Sequence, residues 1–143
     1  MCYMISWHIN KEAFTDDFAN TCKKYKPHFN KIKNTLENTI FSEETVSFNF
    51  MGNAHCECDT PLGMKTVSES LNDYLLLLNE FQNCAKIKYI AVFKHFYDGS
   101  FEEVIKHNKF EIVKIHISEI DSEFLANIKD DIVYKILYYK KWN

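Results

Sequence analysis

The side chains best able to do chemistry are densest in one stretch, Gly52-Asn53-Ala54-His55-Cys56-Glu57-Cys58-Asp59-Thr60-Pro61-Leu62-Gly63. It holds two of the five cysteines and one of the six histidines, with two of three glycines and one of two prolines. A loop this long between a strand and a helix is at the edge of what a small domain carries without a reason.

Three chemistries compete for that loop. His55, Cys56 and Cys58 can ligate a soft or borderline metal such as zinc, because imidazole and thiolate suit it. Alternate residues of an extended segment point the same way, so the two thiols would face one ion. A fourth ligand would then come from His8, His95, His116 or Cys84. Against zinc, structural sites usually space their thiols C-x-x-C and supply two such halves; this chain has neither. Alternatively, Cys56 or Cys58 is a redox or catalytic nucleophile, aided by the N-terminus of the helix that follows. The flanking carboxylates Glu57 and Asp59 oppose that by disfavouring a thiolate. In the plainest reading the loop plugs a gap in the fold and its cysteines act as small, half-buried hydrophobes.

Other tempting residues have simpler explanations. His8, His95 and His116 sit on expected strands, and one sequence does not say whether those strands bring them together. Ser100 and Glu103 match a capping box, and Asp98-Gly99 is a turn signal. The aromatics and lysines of residues 134–142 make a final strand with a protected end, or a contact for a partner. No P-loop, G-x-G-x-x-G, H-E-x-x-H or G-x-S-x-G pattern occurs, so the enzyme classes they mark are disfavoured.

The elements that must position the loop follow from periodicity. Strands are expected at residues 2–9, 46–50, 87–96, 110–117 and 132–139, the second with one wet face. Asn10 is expected to cap a helix carrying Phe14, Phe18, Cys22 and Tyr25, stopped by Pro27. A second helix is expected through Phe29, Ile32, Leu36 and Ile40. Thr66 and Glu69 look like a capping box for a third, with Val67, Leu71, Tyr74, Leu75, Leu78 and Phe81 on its apolar face. Two shorter helices are expected after Ser100 and after Asp121 or Ser122. The sum is one α+β domain spanning 1–143: a mixed sheet of about five strands with helices mainly on one face, or alternatively a three-layer α/β fold.

Composition bounds the function. With 143 residues, 46% hydrophobic and 15% aromatic, the chain can fill a real core. No apolar run approaches the ~20 residues of a membrane span, and the N-terminal residues lack the pattern of a secretory signal. An odd number of cysteines then suits a reducing, cytoplasmic setting. All 17 basic residues are lysine, scattered among 20 acids. No nucleic-acid or membrane partner is expected, since arginine forks and a one-sign stripe are missing. The expected function is therefore that of a small binding or regulatory protein working through the loop from His55 to Gly63, with zinc as its candidate metal. The alternative is a thiol-dependent redox sensor or enzyme using Cys56 or Cys58. A protein partner or a second copy of the chain is the expected contact, because surplus apolar surface on the Thr66 helix and near the C-terminus can be hidden there.

Overall fold

The computed structural model describes residues 2–32, 44–52, 57–97 and 110–139. Within them, β1 (Cys2–Asn10), β2 (Asn30–Ile32), β3 (Thr45–Asn49), β4 (Tyr89–Tyr97), β5 (Glu111–His116) and β6 (Ile132–Leu137) form one mixed sheet, ordered β2-β3-β1-β4-β6-β5. Neighbours are antiparallel except β5 and β6. A parallel pair needs a crossover, and residues 117–131 supply it with the short helix α3 (Ser122–Ala126).

Three described helices, α1 (Asp16–Tyr25), α2 (Asn72–Glu80) and α3, pack on one face of the sheet. They bury Phe18 and Cys22, Tyr74 and Leu78, and Leu125 and Ala126 against Ile5, Trp7, Ile9, Phe48 and Val92. The indole of Trp7 stacks on Tyr74 with ring centroids 5.9 Å apart. This is the expected α+β layout.

Several local expectations change. Thr15, not Asn10, caps α1, its hydroxyl accepting from the Phe18 amide at 3.2 Å. Residues 30–32, expected as the start of a helix, pair as an edge strand with β3, and the rest of that helix (33–43) lies outside the described residues. The Thr66–Glu69 box does not open α2: a 3-10 turn (Glu69–Leu71) intervenes and Val67 is exposed. Asp121 does cap α3, accepting from the Phe124 amide at 2.8 Å. The turn at 98–100 and the helix expected after Ser100 fall outside the described residues.

The expected wet face of β3 is buried. Thr45, Ser47 and Asn49 join Ser6 and His8 in a polar row on the face opposite the helices. His8 bridges that row: Nε2 lies 2.9 Å from the Ser6 hydroxyl and Nδ1 2.8 Å from the Ser47 hydroxyl. At Ser6, His8 and Ser47 the alternating polar residues therefore mark a hydrogen-bonded interior, because hydroxyls and an imidazole can satisfy one another away from water. Burial pushes the His8 imidazole down to about 3, so the ring is neutral at physiological pH.

Candidate functional site

Strand β3 pairs with β1 at Trp7–Asn10, and among the described residues no strand pairs with the N-terminal half of β1 on that side. The loop fills the gap. The Glu57 amide donates to the Tyr3 carbonyl at 2.8 Å, the Ile5 amide donates to Glu57 Oε2 at 2.9 Å, and the Tyr3 amide points at Cys58 Sγ at 3.4 Å. Backbone groups that a missing strand would orphan are thus satisfied by the loop.

Glu57 is consequently a buried carboxyl. Loss of solvent raises it from 4.5 to about 7, although the Ile5 amide and the nearby Lys26 ammonium favour the charged form. Lys26 sits 3.6 Å from the Tyr74 ring centroid, and its own burial pushes it below the ordinary lysine value, with Asp73 and Glu57 opposing.

The far end of the loop is anchored as firmly. Leu62 is fully buried and its carbonyl accepts from Lys94 Nζ at 3.0 Å; that ammonium lies 4.5 Å from the Tyr3 ring centroid. Gly63 and Lys65 donate to the Leu125 and Ala126 carbonyls at the end of α3. Gly63 has φ +73°, and an added Cβ would lie 2.8 Å from the Ile128 carbonyl oxygen. Gly63→Ala should therefore cost about 2 kcal/mol, read as a lowered denaturation midpoint with unchanged slope.

Between these anchors the loop presents an exposed tip, Cys58 and Asp59. Tyr3 and the exposed Asp130 stand beside it: Asp130, through its charge and a hydrogen bond to the phenol, raises Tyr3 above the ordinary tyrosine value, with smaller contributions from Cys58 and Asp131. Asp131 pairs with His95 Nδ1. Three chain segments distant in sequence thus bring a phenol, a thiol and several carboxylates to one spot.

Of the residues expected to hold metal, Cys58 is at this site, whereas His55 and Cys56 lie outside the described residues. Two of the suggested fourth ligands, His8 and His116, are engaged elsewhere. Both ring nitrogens of His8 meet hydroxyls, and those of His116 meet the Ser118 hydroxyl and the Tyr139 carbonyl. His8 pairs in register with Ala91 and His95 with Met4, so the histidines do not gather. Among the described residues no group of three or more His, Cys, Asp or Glu is arranged to hold a metal ion.

Sequence reasoning missed Tyr3, Lys94 and Asp130. A lysine following the apolar run Tyr89–Phe93 of β4 is the one available signal, since a buried ammonium needs an acceptor from somewhere. The thiols should separate cleanly under native alkylation read by mass spectrometry. Exposed Cys58 is expected to label, while Cys22, fully buried and with its thiol pushed far above the ordinary value, should label only on unfolding. Equal labelling of both would contradict this burial pattern.

Among the described residues no helix is long and apolar enough to cross a membrane. Set against family models, curated proteins and solved structures, the chain matches none of them.

Proposed function

We propose that this chain is a small binding or regulatory protein with its working surface at the loop from His55 to Gly63, whose described residues 57–63 cross the end of the sheet beside Tyr3 and Asp130. The observation that carries this reading is the exposed Cys58–Asp59 tip held between buried anchors, Glu57 on the Ile5 amide and Leu62 on the Lys94 ammonium. A tip fixed on both sides loses little conformational entropy on binding. Its exposed acids, Asp59 and Asp130, suit a protein partner that presents lysine or arginine.

The test compares wild type with Asp59→Asn/Asp130→Asn, both exposed positions, in retention of partner proteins on the immobilised chain. Retention should fall in the variant and in high salt, with the melting temperature unchanged. Equal retention would place the working surface elsewhere.

One observation favours a second reading, thiol-dependent chemistry: an exposed Cys58 whose sulfur receives the Tyr3 amide. Cys58→Ser would then remove function while Asp59→Asn/Asp130→Asn would not. The zinc reading of His55, Cys56 and Cys58 is tested by elemental analysis of tag-free protein. About one zinc per chain, lost in Cys56→Ser/Cys58→Ser and kept in Cys22→Ser, would establish it.

A further inference from the structure

The helices do not cover their face of the sheet to its end. Ile5 and Trp7 of β1 lie in the core beneath them, whereas Tyr3, on the same face, is only half-buried. Its cross-strand neighbour on β4, Phe96, keeps 40% of its surface exposed. The two rings meet edge to face, with centroids 4.9 Å apart and planes at 61°. Phe96 therefore offers bare aromatic surface at the rim, and the face of such a ring attracts cations.

Neighbouring charges decide which cation that surface suits. Asp130 is exposed, hydrogen-bonds the Tyr3 phenol and, among the described residues, forms no ion pair. The buried Lys94 already lies over the Tyr3 ring, its Nζ 4.5 Å from the centroid and donating to the Leu62 carbonyl. That ammonium repels a second cation at Tyr3 and turns an incoming one towards Phe96 and the Asp130 carboxylate. A guanidinium is flat, weakly hydrated and forked, so it can stack on a ring and pair with a carboxylate at once. An ammonium is a strongly hydrated point charge and gains less from such a combination.

We propose that this rim docks an arginine side chain of a protein partner, its guanidinium stacked on Phe96 and paired with Asp130. The contact belongs to the loop surface proposed above and rests on that reading, to which it adds the group that holds the partner there. Phe96 supplies the stacking surface and Asp130 the charge, and the two together favour arginine over lysine.

The experiment is an amide-resolved NMR titration of the full chain with the blocked tripeptide acetyl-Gly-Arg-Gly-amide. The same peptide with lysine or with neutral citrulline in the middle is the comparator. The arginine peptide should shift the Tyr3, Phe96 and Asp130 amides saturably, more weakly as salt is raised. The lysine peptide should bind about fivefold more weakly, and the citrulline peptide should produce no saturable shift. Phe96→Leu should weaken arginine binding about threefold and Asp130→Asn about fivefold, while Asp17→Asn, on the exposed surface of α1, should leave it unchanged. Phe96 and Asp130 are both exposed, so neither substitution threatens the fold. The proposal is overturned by no saturable shift at those amides, by lysine or citrulline binding as tightly, or by affinity indifferent to either Phe96→Leu or Asp130→Asn. Should it fail while partner retention still falls in Asp59→Asn/Asp130→Asn, the arginine contact alone is wrong and the loop surface stands; unchanged retention would remove both.

Discussion

Replacing His8 by glutamine is expected to remove an acid-dependent loss of stability that this imidazole alone imposes. In the folded chain the imidazole stays neutral down to about pH 3, whereas an unfolded histidine takes up its proton near 6.5. Between those values the unfolded state binds one more proton than the folded state, so stability falls as pH falls. Integrated over that window the loss approaches ~5 kcal/mol, a large share of what a domain of this size has. Glutamine can still offer a donor and an acceptor to the Ser6 and Ser47 hydroxyls but has no proton to gain. His8→Gln should therefore be somewhat less stable at pH 8, through imperfect packing, yet should lose no stability at this position as the pH falls from 6.5 towards 3. Urea midpoints across pH measure this. An acid slope unchanged by the substitution would mean that His8 is not the group responsible.

Glu57 works in the opposite direction. Its carboxyl holds a proton up to about 7 in the folded chain and releases it near 4.5 when unfolded. Over that interval the folded state binds the extra proton, so its contribution is fully present below 4.5 and is lost as pH rises through 7. The upper bound is ~3 kcal/mol. Glu57→Gln, which keeps an oxygen for the Ile5 amide without the buried charge, should raise stability at pH 8 by a large fraction of that. Glu57→Ala leaves the amide without its acceptor and should lower stability by about 1–3 kcal/mol.

The two effects oppose each other between pH 4.5 and 6.5, so the wild type should change little there. Glu57→Gln should expose the acid slope of His8, and His8→Gln the alkaline loss due to Glu57. The residues lie on different faces of the sheet, so the double variant should be close to the sum of the singles. Strong non-additivity would contradict the assignment of each slope to its residue.

Much of the architecture was legible because it rests on periodicity. Ile5, Trp7 and Ile9 alternate along β1 and do line the helical face; Phe18 and Cys22, four apart, do face the core from α1. Failures have identifiable causes. The three residues of β2 are too few to show a period, and their pairing with β3 comes from tertiary context. Val67 fits an apolar helical stripe, yet the chain enters α2 only after Ser68 in extended conformation, so Val67 never joins the helix. The polar positions of β3 were misread because alternation reports polarity and not exposure; Ser47 is polar for His8, not for water.

The candidate site was legible in place but not in parts. Loop composition singled out residues 55–63, and Cys58 does sit at the exposed tip. What the loop meets was hidden, since Tyr3, Lys94 and Asp130 are each more than thirty residues from Cys58 and only sheet order brings them near. Glu57 looked like a mere neighbour of the thiols. Its role follows from the shortness of β3, which leaves the Ile5 amide in need of an acceptor.

The working surface can be tested most directly from its own thiol. In a chain with Cys2, Cys56 and Cys84 changed to serine, a photo-cross-linker attached to Cys58 reports what touches the loop tip in a cell extract. The account predicts discrete cross-linked products that disappear on introducing Asp130→Asn and are absent when the linker is moved to a cysteine at Lys23 in a Cys58→Ser background. Cross-linking that is the same from both positions, or that yields no discrete product from Cys58, would contradict it.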